Sequence, residues 1–294
     1  MIIVKIVGGL GNQLFQYAFG KALEAHTGLK VHYDISDFNE KYKLHKISLQ
    51  HFNVNINEAS VKDIAQLTSI YNKAKYKLFR VTNGKAIDKK TLKFYREEGT
   101  LYDEDVFSLT YSDIYFDGYW QSEKYFDNIQ NMIRNDFTVT TTPTKNNQNI
   151  IDKINKCNAI SLHIRRGDYV ANAVSNEIYS TCSLGYYEQA LQYMTENVAD
   201  PVFFIFSDDI EWAKSNLQGK NNLEFVDINS ADHNYEDLRL MSLCKHNIIA
   251  NSTFSWWGAW LNSNSDKIVI APKKWFNIES RSSVDLIPEK WILF

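Results

Sequence analysis

Between residues 159 and 272, five short and nearly continuous apolar runs, AISLHI, VFFIFS, LEFVDI, HNIIAN and KIVIAP, alternate with stretches of helical spacing at 184–198, 210–218, 235–245 and 255–262. Strands this uniformly apolar need cover on both faces, and the intervening helices supply it. The second half of the chain is therefore predicted to be an α/β, doubly wound parallel sheet. Ligands of such open sheets bind beyond the carboxyl ends of the strands, where the strand order reverses. Three polar segments follow strands here: HIRRGDY at 163–169, Ser207-Asp208-Asp209, and Asn251-Ser252-Thr253-Phe254-Ser255. Their placement predicts one shared crevice.

The chain opens differently. IIVKIV is followed by GGLGN and then by residues 13–27, in which Gln13, Gln16, Tyr17, Gly20, Lys21 and Glu24 recur at helical spacing around an apolar face of Leu14, Phe15, Ala18, Phe19, Ala22 and Leu23. Gly28 supplies the helix stop and LKVHYDI the next strand, which makes a β-α-β unit. Helices are predicted around 57–68 and 71–80, and Ser122 is placed as the cap of a helix running to about Asn135. The polar, proline-bearing TVTTTPTKNNQN at 138–149 is the predicted linker, dividing the chain into domains 1–145 and 146–294.

A length of 294 residues suits two domains, and 44% hydrophobic with 23% charged residues is ordinary for a globular protein. The formal charge of −3 provides no basic field for nucleic acid, so any anionic ligand has to be met locally. Cys157, Cys182 and Cys244 are odd in number and widely spaced, which points to reduced thiols. No signal segment or long apolar run precedes the first strand, so a cytoplasmic location, at most peripheral to the inner membrane, is expected.

The arginine pair Arg165 and Arg166 is suited to a diphosphate, because a guanidinium keeps its charge and offers paired donors. Asp168 would orient an arginine, hold a hydroxyl or neutralise the pair, and His163 is either a half-buried structural histidine or a ligand contact. Asp208, with Glu211 three residues on, is either a helix cap or an acceptor for base or ribose, and Ser207 stands beside it. Ser252, Thr253 and Ser255 mark a helix N-terminus, where backbone N–H groups attract anionic oxygens or are simply capped. Of the aromatics there, Phe254 is the candidate for stacking and Trp256, Trp257 and Trp260 are assigned to the core. GGLGN fails the dinucleotide fingerprint, since Leu14 stands where the third glycine belongs, yet Gly11, Asn12 and Gln13 still present backbone and amides to a ligand. Asp103-Glu104-Asp105 is assigned to the surface rather than to a metal.

Taken in order, GGLGNQLFQYAFGKAL, GYWQSEKYF, HIRRGDY, FSDD and NSTFSWWGAWL resemble the inverting α-1,2-fucosyltransferases of glycosyltransferase family 11 along nearly the whole chain. The resemblance implies a GT-B fold of two Rossmann-like domains facing across a cleft, with GDP-fucose on the C-terminal domain and the acceptor on the N-terminal one. It implies nucleotide and β-phosphate contacts for His163, Arg165 and Asp168, diphosphate and guanine contacts for Ser252, Phe254 and Ser255, and an approach of Gly11, Asn12 and Gln13 to the reacting centre. It also implies a galactose-terminated oligosaccharide or glycolipid as acceptor and, from the missing anchor, a bacterial source.

On that basis Arg165 and Asn12 are the expected catalytic residues. Gly11, Gln13, His163, Arg166, Asp168, Ser207, Asp208, Asn251, Ser252, Thr253, Phe254 and Ser255 are the expected donor contacts. Tyr119, Trp120 and Asp34 are expected to meet the acceptor. Departure of GDP builds charge on the β-phosphate, which Arg165 and helix N-terminal amides would stabilise without a cofactor or metal. Asp34 is the one carboxylate placed for a general base, and a dissociative route with no dedicated base is preferred. A GDP-mannose-type donor, a non-catalytic binding module and a nicotinamide enzyme are the rival readings.

Overall fold

The computed structural model describes residues 1–40, 45–110, 113–167, 180–217, 222–278 and 281–294. It divides into two compact units, Met1–Thr138 with Val284–Leu286, and Val139–Ser283 with Ile287–Phe294. The division falls earlier than the sequence suggests, because half of the expected linker is structured. Thr144 accepts a hydrogen bond from the Asn147 N–H and so caps helix α6, Lys145–Ile154, of the second unit. The Asn147 side chain exchanges hydrogen bonds of 2.9 Å with Asn229, and Arg239 donates to the Thr141 carbonyl.

The first unit contains β1 (Ile2–Lys5), α1 (Leu10–Thr27), β2 (Val31–Asp34), α2 (Ser36–Glu40), α3 (Val61–Leu67), α4 (Ile70–Val81), β3 (Phe94–Arg96), β4 (Ile114–Asp117) and α5 (Gln130–Asp136). The strands pair in parallel in the order β2-β1-β4-β3. The expected β-α-β unit is present, and Gly28, at φ +68°, donates its N–H to Glu24 O as the C-cap of α1. The amphipathic reading of α1 fails, however. Gln13, Gln16 and Tyr17 are buried along with the apolar residues, because the strand ends give the two amides partners and Asp136 accepts from the Tyr17 hydroxyl. Ser122 caps only a 3₁₀ turn, Glu123–Tyr125, and α5 begins later, at Gln130.

Trp120 requires a correction. It is fully buried, and its ring stacks on Phe19 at 4.1 Å with Phe116 and Tyr125 packed edge-on, so it is core and not a surface for an acceptor sugar. An aromatic of this size has more to gain from burial than from exposure.

The second unit continues after α6 with β5 (Asn158–Ile164), α7 (Leu184–Asn197), β6 (Pro201–Ser207), α8 (Ile210–Asn216), β7 (Leu223–Phe225), α9 (Asn234–Leu243), β8 (His246–Ile248), α10 (Thr253–Leu261), β9 (Val269–Ala271) and β10 (Ile292–Leu293). These strands, too, are parallel, in the order β10-β9-β8-β5-β6-β7. Starting at β5, the chain builds one edge through β6 and β7 and then returns to β8 to build the other, so the order reverses between β5 and β8. Ile160, Leu162, Ile164, Ile205, Ile248 and Ile270 pack on Tyr187 and Met194 of α7. Trp256, Trp257 and Trp260 are buried, as the sequence suggested.

Candidate active site

β5 ends at Ile164, and the chain turns out of the sheet through Arg165, Arg166 and Gly167. The turn is held by Asp208, which follows the neighbouring strand β6. Its Oδ1 accepts the Arg166 N–H at 2.8 Å, and its Oδ2 accepts the Gly167 N–H at 3.1 Å and lies 3.0 Å from Arg165 Nη1. A side chain at 167 would meet this carboxylate, since a Cβ there would lie 2.8 Å from Oδ2. Asp208 is thus not the helix cap, one of the two roles that the sequence left open. The cap of α8 is Asp209, which accepts the Trp212 N–H at 3.2 Å, while Ser207 Oγ accepts the Asp209 N–H at 2.9 Å.

The two arginines separate in role. Arg166 lies 4.1 Å over the Trp212 ring, with Asp209 Oδ2 3.5 Å from its Nε, which holds it against the sheet edge. Arg165 instead pairs through Nη1 with the Asp208 carboxylate that holds the turn.

Across the point where the strand order reverses, α10 begins. Ser252 caps it by accepting the Phe254 N–H at 3.3 Å, and the first-turn amides and the positive end of the helix dipole lie at the carboxyl end of β8. The Phe254 ring stands 5.7 Å from that of His163, which ties the two sides together. His163 is 4% exposed, and its Nδ1 has no hydrogen-bond partner among the described residues. Burial pushes its pKa down to about 4 against the pull of Asp208, and the Arg165 charge adds to the lowering, so the ring is neutral at pH 7. Arg165, His163, Ser252, Thr253 and Phe254 therefore gather at the carboxyl ends of the neighbouring strands β5 and β8.

Two other expected donor contacts are structural. Asn251 is fully buried; its amide donates to the carbonyls of Ser180 and Trp275, and its Oδ1 accepts from Cys182 Sγ at 3.6 Å. Ser255 is also buried, donating to the Ser252 and Ala250 carbonyls. A polar group next to a site is often spent on building it. Asp168 lies outside the described residues.

In the first unit, the carboxyl ends of β1 and β4 flank a second reversal of strand order. Gly11 and Asn12 lie in the first turn of α1 at this end, and Asn12 Oδ1 accepts from Gln121 Nε2 at 2.9 Å. Gln13 departs from its expected role: it is fully buried, donating to Gly8 O and Lys46 O and accepting the Ser48 N–H, each at 2.9 Å. Asp34 departs likewise. Its carboxylate accepts from the Tyr115 hydroxyl at 2.6 Å and from the Ser36 N–H and hydroxyl at 3.0 and 2.6 Å, in a 5% exposed position. Tyr119 remains exposed, its N–H bound to Glu97.

Sequence reasoning missed Gln16 and Glu97. Gln16 joins the two strand ends by accepting the Val7 N–H at 2.9 Å and donating to Gly118 O at 3.0 Å. Glu97 accepts the N–H groups of Tyr119 and Trp120, which steadies Trp120 at its left-handed φ of +56°. Asp103 of the acidic triplet accepts from the Asp105 N–H and the Tyr95 hydroxyl as the cap of a 3₁₀ turn.

Residues 1–293 match the model of the family described as Glycosyl transferase family 11. The chain is 35% identical to the "Alpha-1,2-colitosyltransferase" of Escherichia coli, over 99% of this chain and 98% of that protein. It is 31% identical to the "O-antigen biosynthesis glycosyltransferase WbnK" of Escherichia coli, over 97% of each. A shorter match, 27% identical over 45% of this chain and 38% of the other, is to "Galactoside alpha-(1,2)-fucosyltransferase 2" of Oryctolagus cuniculus. Among solved structures, Arabidopsis thaliana FUT1 in complex with GDP superposes with a TM-score of 0.54 at 10% identity, covering 98% of this chain and 75% of that one. That likeness shows the fold, an α/β fold of the GT-B class. A full-length family match and two full-length relatives, on a fold that sets an arginine and a helix N-terminus at neighbouring strand ends, establish that the chain is a glycosyltransferase belonging to family 11.

Proposed function

We propose that the protein transfers L-fucose from GDP-β-L-fucose to the 2-hydroxyl of a terminal β-galactoside, inverting the anomeric centre and using no metal. The observation that carries the reading is the convergence of Arg165, neutral His163, Phe254 and the N-terminus of α10 where the strand order reverses in the second unit. A guanidinium that keeps its charge and a helix dipole suit a nucleoside diphosphate, and an aromatic edge suits its base or sugar. Relatives named for α-1,2-fucosyl and α-1,2-colitosyl transfer support the linkage.

In the reaction the C1–O bond to the β-phosphate breaks, and its electron pair leaves with the phosphate oxygen. Arg165 and the first-turn amides of α10 meet that charge as it grows, which is the work a divalent cation does in other transferases. His163, neutral at pH 7, contributes a hydrogen bond and no charge. The acceptor oxygen bonds C1 from the opposite face and gives its proton to solvent. Asp34 is already hydrogen-bonded through both oxygens, so we assign no dedicated base. We assign the donor to the second unit, with Tyr119 of the first unit serving the acceptor and Asn12 the second catalytic residue.

A second reading has its own support. The 35% identical relative is named a colitosyltransferase, and colitose is fucose without its 3-hydroxyl, so GDP-colitose is the alternative donor. Turnover of GDP-fucose, GDP-colitose and GDP-mannose with lactose, in EDTA, tests both. Acceptor-dependent release of GDP with a 2-linked product from one of the two 6-deoxy donors supports the assignment. Transfer from GDP-mannose alone, or activity that needs an added divalent ion, would overturn it.

A further inference from the structure

Among the described residues, the four most exposed large hydrophobic side chains lie within one short stretch: Ile70 at 88%, Val61 at 80%, Val81 at 75% and Tyr71 at 73%. Three of them belong to α4. At 3.6 residues per turn, Ile70, Tyr71, Ala74, Leu78 and Val81 fall within about 100° of arc, so α4 turns an apolar stripe to solvent. The helix is not loose. On its opposite side the Asn72 amide donates to Gln66 O and Leu67 O at 3.0 and 3.1 Å, and the Tyr76 ring packs on Phe94 and Tyr95 while its hydroxyl donates to Arg96 O.

The charge around the stripe is segregated just as sharply. Residues 61–93 hold nine basic residues and two acidic ones, a net +7 in a chain whose formal charge is −3. Lys73 and Lys77 border the stripe on one side and Lys75 on the other, with Lys62 exposed on α3. The nearby acids are already engaged, Glu98 with Arg80 and Asp105 with Lys89. A groove of about 510 Å³ lined by Lys73, Lys77, Arg80 and Phe94 runs beside the helix.

We propose that α4 is a membrane-docking helix that lies in the surface of an anionic phospholipid bilayer, inserting Ile70, Tyr71, Leu78 and Val81 while the exposed Lys73 and Lys77 hold lipid phosphates and Lys75 stays on the Thr91 carbonyl. An apolar face flanked by lysines is the pattern of a helix that rests in an interface, and lysine stems reach headgroups while their carbons stay against the acyl boundary. No helix among the described residues is long and apolar enough to cross a membrane, so the contact is peripheral. The proposal is independent of which sugar the enzyme transfers.

The test is co-sedimentation of the full chain with vesicles of phosphatidylcholine alone or mixed with phosphatidylglycerol. The wild-type protein should pellet with the anionic vesicles, not with the neutral ones, and should be released as salt rises to about 1 M. Lys73→Glu with Lys77→Glu should weaken partitioning about fivefold for each lysine, and Ile70→Ser with Tyr71→Ser and Val81→Ser at least about tenfold. All five residues are exposed, and circular dichroism melts show whether each variant is folded. Binding that ignores lipid charge, or that is the same in the variants, overturns the proposal. So does a wild-type protein that ignores vesicles but dimerises through Ile70 and Val81 in light scattering, which would assign the face to a second copy.

Discussion

Arg165→Ala removes the charge assigned to the leaving diphosphate, and the structure sets the size of the effect. Asp208 Oδ2 is 3.0 Å from Arg165 Nη1, so the guanidinium is partly neutralised before a donor arrives. At an effective dielectric of about 20, a unit charge about 4 Å from a phosphate oxygen contributes about 4 kcal/mol, and the Asp208 charge about 7 Å away opposes it by about 2 kcal/mol. Asp208 opposes the phosphate in the variant as well and so cancels in the comparison, which leaves the whole arginine contribution of about 4 kcal/mol, about a thousandfold, for a full unit of charge and about a hundredfold for the roughly two thirds of a unit that develops between bound donor and transition state. We therefore expect Arg165→Ala to lower kcat about a hundredfold in a GDP-release assay, with Arg165→Lys intermediate because it keeps the charge and loses the fork. Asp208 keeps its two backbone donors from Arg166 and Gly167, so the melting temperature should hardly move. Arg166→Ala should cost about 1 kcal/mol of stability through its lost contact with Trp212 and leave kcat within a few-fold. A loss of less than about fivefold at Arg165, or equal losses at both arginines, would refute the reasoning.

Trp120→Ala should destabilise the protein by about 3–5 kcal/mol in denaturant titration, because it empties a core position and leaves the acceptor untouched. Asn251→Ala should cost about 1–3 kcal/mol by leaving the Ser180 carbonyl without the Asn251 donor, while the Trp275 carbonyl keeps the Ser180 N–H, and should shift the GDP dissociation constant only through that loss of order. His163 predicts a pH effect with a definite sign. Its folded pKa, about 4, lies below the unfolded value of 6.5, so the unfolded state binds more protons between the two and stability is lost as pH falls through that window, by up to about 3 kcal/mol. Asp237, raised to about 7 by burial, acts with the opposite sign there, so the measurement is the difference between wild type and His163→Asn in urea melts from pH 7 to pH 4. A difference that does not change with pH would contradict the buried, neutral assignment of His163.

The second unit was legible in the sequence because strands buried on both faces leave an unmistakable apolar run, and the polar residues that interrupt the runs then mark the strand ends. Arg165, Phe254 and Ser252 were placed beyond the strand ends in that way. What the sequence did not show was how those polar residues divide their hydrogen bonds. Asn251, Ser255 and Gln13 have the composition of ligand contacts, yet each satisfies buried backbone groups, and only three-dimensional pairing reveals it. Asp208 and Asp209 look interchangeable in Ser-Asp-Asp, but the register of β6 sends the first to the arginine turn and the second to the helix. Trp120 was misplaced because Gly118-Tyr119-Trp120 follows a strand that the aromatic pattern hid, and a left-handed residue there turns its ring into the core. Gln16 and Glu97 gave no signal beyond their positions, a polar residue inside an apolar helix and an acid just after a short strand.

The central claim is that the donor diphosphate sits at the carboxyl ends of β5 and β8. The structure of the protein soaked with GDP tests it most directly. The account predicts the β-phosphate within hydrogen-bond reach of Arg165 and of the first-turn amides of α10, with the base or ribose near Phe254 and His163. A diphosphate bound at the carboxyl end of β1, against Gly11 and Asn12, with Arg165 still paired to Asp208 and away from the ligand, would contradict it.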